Sequence, residues 1–348
     1  MTENTSPSRA QPGSVGSNPE AAAMVLQNSG LEAGQAGTRP DAVAPAGGPA
    51  PTAAKSQGRL VLERFLRHKG ALVGMAMLLF VMLLSFTSIG VGPIPGWWKY
   101  NFSEVMPIAE GGPTLSWTGL GDHPFGQDTL GRDYFAMTMR GTQISLIIAF
   151  MVGIVSTIVG TIVGAFAGYF RGFTEAVLMR LTDVVITIPL LVVAAVLAAM
   201  VSRYGIVVFA IFLGLISWTS LARLVRGEFL SLREKEFVEA AKSVGAGSGR
   251  IIFKHILPNT IGVIIVFATL AISSAILLET SLSFLGLGVQ PPDTSLGRLI
   301  NENRSAMTTR PWLFLWPGLF IVTIALAVNF IGDGLRDAFD PRQTRIKQ

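Results

Sequence analysis

Six stretches of 19 residues or more carry no charged side chain, and they restrict the chain to folds in which several helices cross an apolar medium. They cover residues 70–89, 141–170, 184–202, 204–222, 256–278 and 311–332. At ~1.5 Å of rise per residue, a helix of about 20 residues spans the ~30 Å hydrocarbon core of a bilayer. A single such run could be a buried helix of a large soluble protein. Six runs in 348 residues, with charged residues at only 14%, instead predict an all-α integral membrane protein with six transmembrane helices.

The rest of the chain divides around these runs. Residues 1–55 are rich in Ala, Pro, Gly and Ser and are expected to form a disordered tail. No apolar stretch of signal-peptide type occurs in them. A basic segment and the first span follow over 56–90, a loop outside the cytoplasm over 91–140, and a core of five spans over 141–335. That core is interrupted by a polar loop at 224–258, and residues 336–348 form a tail. With the N-terminus in the cytoplasm, 20 of the 27 Lys and Arg fall on the cytoplasmic side and seven outside. The positive-inside rule therefore places both termini and the 224–258 loop in the cytoplasm.

Several chemistries are excluded by composition. The chain has no cysteine, and its three histidines (His68, His123, His255) are far apart with no HExxH pair, so no disulfide or catalytic zinc site is expected. The sequence Gly245-Ala246-Gly247-Ser248-Gly249-Arg250 lacks the Lys-Ser/Thr pair of a phosphate-binding loop. Gly119-Leu120-Gly121-Asp122 has no second aspartate inside an apolar run to complete a two-carboxylate site. An ion-coupled carrier stays open as the rival reading on composition, although such carriers usually place ionisable groups at mid-membrane. Here Asp183, Glu279 and Asp333 stand at the ends of runs, and the interiors hold neutral groups such as Thr187, Ser217, Thr219, Ser273, Ser274 and Asn329. Neither enzyme activity nor nucleic-acid binding is expected.

Local signals refine the helices. Ser202-Arg203-Tyr204-Gly205 divides residues 184–222 into two spans joined by a tight outer turn. Ser156, Gly160, Gly164 and Gly168 recur every four residues and make a face another helix can approach closely. Pro189 and Pro317-Gly318 are candidate kinks. Arg180 and Asp183 are spaced for a local ion pair, and Trp97, Trp98 and Trp117 for anchoring at the membrane interface.

The loop itself carries an apolar stripe at Phe237, Ala240, Ala241 and Val244, the spacing of one helix face. Gly245 suits the left-handed residue that ends a helix. Ser248 is placed to cap a second short helix ending near Lys254, and Pro258 to start the next span. Two readings of this helix–turn–helix remain open on pattern alone: packing on its own bundle at the membrane surface, or docking into a partner.

Residues 239–259 resemble the signature loop of permease subunits of binding-protein-dependent ABC importers, and the ending His255-Ile256-Leu257-Pro258-Asn259 resembles its peptide-importer branch. His123-Pro124-Phe125-Gly126-Gln127-Asp128 with Gly131-Arg132-Asp133 resembles the C-type peptide permeases, although Gln127 stands where threonine is usual. So do Leu282 through Pro292, with Leu296 in place of a usual tryptophan, and Gly332-Asp333-Gly334-Leu335-Arg336-Asp337 with Asp340-Pro341-Arg342. The resemblance covers roughly residues 60–342. It implies the type I ABC importer permease fold and a subunit that pairs with a homologous second permease subunit. It also implies two cytoplasmic ATP-binding subunits that hold ATP and Mg, an extracytoplasmic peptide-binding protein, and di- or oligopeptides as cargo. Nickel and glutathione importers share these signatures. Glu239, Ala240, Ala241, Gly245, Leu257 and Pro258 map onto the loop's signature positions, which implies a role in coupling to the ATPases.

Overall fold

In the computed structural model, residues 57–108, 111–116 and 119–340 are described. The expected tail at 1–55, Trp117 and the Pro341-Arg342 end of the last signature lie outside the described residues. An amphipathic helix α1 (Gln57–Phe65) leads into α2 (Lys69–Ser88), whose first turn is capped by His68 Nδ1 accepting from the Ala71 N–H at 3.0 Å. A two-residue hairpin (β1, Gly90–Val91; β2, Ile94–Pro95) follows. The bundle is then built on α3 (Tyr134–Phe170), 37 residues long, which is contacted by most of the other helices.

The helix α3 starts seven residues before the apolar run, inside the stretch expected to be loop. Asp133 is the reason: its side chain accepts from the Ala136 N–H at 2.8 Å, and it also accepts from Trp98 Nε1 (2.9 Å) and His123 Nδ1 (2.8 Å). The His123–Asp133 motif is thus a structural knot at one end of the bundle. Phe125 stacks on Trp316 at 3.9 Å between ring centres, and Asp128 pairs with Arg132 at 2.7 Å. Trp98 belongs to this knot through Asp133 and through Phe135 at 4.8 Å, contacts that its position in the sequence did not indicate. Because Asp133 is fully buried, Asp133→Ala strands the buried Ala136 N–H at about 1–3 kcal/mol and also unties the half-buried Trp98 and His123 donors. The variant is expected to unfold at lower temperature and to become protease-sensitive between residues 99 and 132, whereas Asp133→Asn keeps part of both.

Two expected spans are broken. The polar residues before 184 are helical, and α4 (Gly172–Thr187) turns by 85° into the next helix, α5 (Leu190–Val201). The break is Ile188-Pro189: proline disfavours helical backbone at the preceding residue, and Ile188 is extended (φ −87, ψ 130). After a 3-10 turn at Ser202–Tyr204 and Gly205 (φ +96), as the turn signal predicts, come α6 (Ile206–Ile216) and α7 (Thr219–Arg233). These two meet at 47° where Ser217 Oγ donates to the Leu213 carbonyl at 2.8 Å, a local alternative to the helix ladder. In contrast, Pro317 stands inside the last helix, α11 (Trp312–Phe339), without dividing it.

The remaining elements are α8 (Glu236–Ser243), α9 (Ser248–Phe284) and the short α10 (Leu296–Asn303). Four helices (α2, α3, α9, α11) are each long and apolar enough to cross a membrane, and each bent pair makes one further candidate span, up to six. Large apolar side chains face outward along them, Phe80 at 65% and Leu315 at 62% exposed, as a bilayer or a partner helix requires. The small-residue face of α3 is used as expected: it receives α7, with the Leu221, Ala222, Val225 and Phe229 turns lying against Gly160, Gly164 and Gly168. At the other end of the chain, α1 is tied to α11 by Arg64 Nη1 donating to the Asp340 carbonyl (3.3 Å) and by His68–Asp337 (3.3 Å).

Candidate functional site

The polar segment between α7 and α9 is held from below by a core of its own. Phe229 and Val225 of α7, Tyr169 and Ala165 of α3, and Ile251, Ile252 and Ile256 of α9 form an apolar cluster into which α8 inserts Val238 and Ala241. Those two are three residues apart, so one narrow face of α8 points inward. Phe237 (41% exposed), Ala240 and Val244 (84% exposed) point outward together with Glu239. This corrects the expected stripe: of its four residues only Ala241 is buried, and the other three form a second, outward apolar face.

Both ends of α8 are defined by local chemistry. Glu236 and Glu239 lie in its first turn and Lys242 in its last, the charge order that suits the helix dipole. At the far end Gly245 adopts φ +82, its N–H donates to the Lys242 carbonyl (2.9 Å), and Ala246 N–H donates to the Ala241 carbonyl (3.0 Å). That pair of bonds is the Schellman stop, and it needs a left-handed residue at 245.

The chain then departs from the expected second short helix. Gly247, not Ser248, precedes the new helix, and no side chain caps it. The helix does not end near Lys254; it passes through a π-helical turn, Ile251–Ile256, directly into the span. Pro258 explains the widened turn. It lacks an N–H and would crowd the carbonyl four residues back; the π-turn, closed by Leu257 N–H to the Ile252 carbonyl, accommodates it. Asn259 Nδ2 donates to the His255 carbonyl at 2.6 Å and satisfies a group the turn leaves open. Leu257 packs on the same cluster as Val238 and Ala241. Of the predicted residues, then, Ala241 and Leu257 share the inner core, while Glu239, Ala240, Gly245 and Pro258 are exposed.

A belt of arginines that sequence reasoning did not assign binds this end of the bundle together. Arg223 pairs with Asp183 at 2.6 Å, so Asp183 is joined to α7 and not to Arg180 as its spacing suggested. Arg226 Nε donates to Glu175 at 2.7 Å, fixing α4 to α7. Arg233 donates to the Tyr169 carbonyl and lies 5.5 Å from the centre of that ring. The guanidinium of Arg171 beside Glu234 holds that carboxyl below the usual carboxylate range, so the pair survives at neutral pH and is lost only on strong acidification. Charge counting in sequence could have found these residues as a set, but not their pairing.

The family described as binding-protein-dependent transport system inner membrane component matches residues 160–345. The chain belongs to that family. Residues 56–104 also match the N-terminal transmembrane domain of oligopeptide transport permease C. Among relatives, a Brucella ovis protein provisionally named a peptide permease is 39% identical over 282 residues, 80% of this chain and 89% of its own length. The oligopeptide transport system permease protein OppC of Mycobacterium tuberculosis H37Rv is 36% identical over 294 residues, 84% of this chain and 97% of its own. That of Haemophilus influenzae is 38% identical over 282 residues, 80% and 87%. The chain is therefore a multi-pass membrane permease subunit of a binding-protein-dependent ABC transporter, with the fold of that family.

Proposed function

We propose that this permease subunit imports di- and oligopeptides as one of two related subunits that together form the pathway. In this reading two cytoplasmic ATPases, which carry ATP and Mg, dock on α8, and an extracytoplasmic binding protein delivers the peptide. The names of the relatives support the substrate class. The observation that carries the coupling role is the two-sided burial of α8. Val238 and Ala241 tie it to the core shared by α3, α7 and α9, while Phe237, Ala240 and Val244 with Glu239 remain outward. A lever needs both properties, rigid attachment on one side and an apolar grip on the other. Glu239, Ala240 and Gly245 supply the gripped surface and its stop; Ala241, Leu257 and Pro258 connect it to the span.

The orientation follows from charge. In this reading the positive charge of Arg223, Arg226, Arg233, Lys235, Lys242, Arg250 and Lys254 puts the α8 segment, and with it both termini, on the cytoplasmic side of a bacterial inner membrane. The test is uptake of labelled peptide by vesicles holding the whole transporter, with di-, tri- and pentapeptides, nickel and glutathione as competitors. Competition by nickel or glutathione alone would reassign the cargo. A Val244→Cys variant labelled at that thiol with a photo-activated cross-linker is expected to cross-link to an ATPase subunit on illumination. Failure to do so, with uptake driven by an ion gradient in the purified chain alone, would replace the ATP-driven reading by a carrier.

A further inference from the structure

At the end of the bundle opposite α8, Glu279 is completely buried inside α9, not at the margin of an apolar run as its sequence position suggests. Among the described residues it has no ion pair with a Lys, Arg or His side chain. Its partners are hydroxyls: Ser145 Oγ of α3 donates to Oε2 at 3.1 Å, and Ser283 Oγ, one turn on in α9, donates to Oε1 at 2.7 Å. Each of these serines is itself fed from α10. The Leu296 N–H donates to Ser145 Oγ at 3.2 Å. The Arg298 N–H donates to Ser295 Oγ (3.3 Å), which in turn lies 3.1 Å from Ser283 Oγ. Ser283 Oγ also accepts from the Val289 N–H at 3.3 Å.

The direction of these bonds is set by the backbone donors. An N–H can only give, so each serine oxygen accepts from the chain side and its proton is free to point at the carboxyl. Two relays thus run from the open N–H groups of the first turn of α10 to the two oxygens of Glu279. The positive end of a helix dipole and an otherwise uncompensated carboxyl group are matched through serines. Close packing makes the reach short. A Cβ on Gly297 would lie 2.6 Å from the Thr280 carbonyl, and one on Gly141 would lie 3.1 Å from Leu296 N. Burying a carboxyl costs far more than burying an apolar residue of the same size, so this arrangement is a poor way to obtain stability alone.

We propose that Glu279 is a positioning residue for transport: through Ser145 and through Ser283–Ser295 it fixes α10 and the 286–295 turn to α3 and α9, so that this corner moves as one body when the bundle changes state. The role in peptide passage rests on the importer reading above; the positioning itself does not. Glu279→Gln replaces one accepting oxygen by a donor and forces one serine to turn away.

The test uses the complete transporter, both permease subunits, two ATPases and the binding protein, in lipid nanodiscs and proteoliposomes. In Glu279→Gln, hydrogen exchange over 286–303 is expected to rise about tenfold while that over 236–246 stays unchanged. Peptide uptake is expected to fall about tenfold at saturating binding protein, with ATPase activity in its absence unchanged. Ser145→Ala should reproduce part of both effects. Combined with Glu279→Gln it should add less than it does alone, because both relays end on the one carboxyl. Unchanged exchange over 286–303, fully additive losses, or loosened exchange with normal uptake would each overturn the proposal. If Glu279→Gln does not assemble, Ser145→Ala alone decides by the same exchange measurement. A wild-type transporter that takes up no peptide would reject the importer reading and leave the exchange result standing.

Discussion

Gly245→Pro is expected to cut peptide uptake severely while leaving the protein in the membrane at near-normal level. Proline fixes φ near −65°, and position 245 requires φ +82. The substitution also deletes the N–H that bonds the Lys242 carbonyl and pushes Val244, at φ −87 and ψ 11, out of the conformation it needs. The Schellman stop is then lost, and α8 can no longer hold its outward face at one angle. The core beneath it is untouched, because Phe229, Ile251, Ile252 and Ile256 come from α7 and α9. We expect uptake at least about tenfold lower, with basal ATPase of the complex no longer stimulated by loaded binding protein. Gly245→Ala is the control: the left-handed conformation costs an alanine only about 1–2 kcal/mol, and most activity should remain. Glu239→Lys places a like charge near Lys242 and reverses the sign of the docking face, and should uncouple in the same way. Normal uptake by both the proline and lysine variants, at matched protein levels, would remove α8 from the coupling route.

The second large effect concerns assembly of the bundle. Gly164→Leu is expected to prevent stable folding. A Cβ at this position would lie 2.5 Å from the Ala222 carbonyl oxygen and 2.7 Å from Val225 Cβ, and a backbone carbonyl cannot swing aside. The helices α3 and α7 would have to separate along the face that also carries Gly160 and Gly168. Overpacking a core typically costs about 1–3 kcal/mol, and more where backbone is involved. Separation would in addition break the floor under α8. Detergent extraction followed by size-exclusion chromatography should show loss of the monodisperse peak. Gly318→Ala, where no atom lies within 4 Å of the added carbon, should behave as wild type. A monodisperse Gly164→Leu protein would mean that α3 and α7 tolerate separation and that the small-residue face is incidental.

Much of the architecture is legible in residue pattern because it depends on local terms. The apolar runs and the Gly205 turn follow from hydropathy and backbone preference acting over a few residues. The same is true of the small-residue face of α3. Pro189 signals a break, and its full size, 85°, exceeds a kink because Ile188 is forced into extended geometry. Pro317, chemically the same residue, leaves α11 whole. Sequence pattern cannot separate these two cases.

The inward face of α8 shows the same limit. Residues 237, 240, 241 and 244 form a sound helical stripe, and 238 with 241 forms another. Which of them turns inward depends on the floor of Phe229, Tyr169 and Ile252, supplied from three other helices. Asp183 pairs with Arg223 across 40 residues instead of Arg180 three away, because the break at Pro189 and the packing on α3 bring α4 beside α7.

Sequence alone determined that the chain crosses a membrane several times, which end is basic, where α8 stops and which face of α3 admits a neighbour. Each of these follows from side-chain transfer energy, net charge or the φ a single residue can adopt. Tertiary structure alone decided the outward face of α8, the arginine pairings, the Asp133 knot and the burial of Glu279. These depend on groups far apart in the chain reaching hydrogen-bonding or packing distance, and no local term encodes that distance.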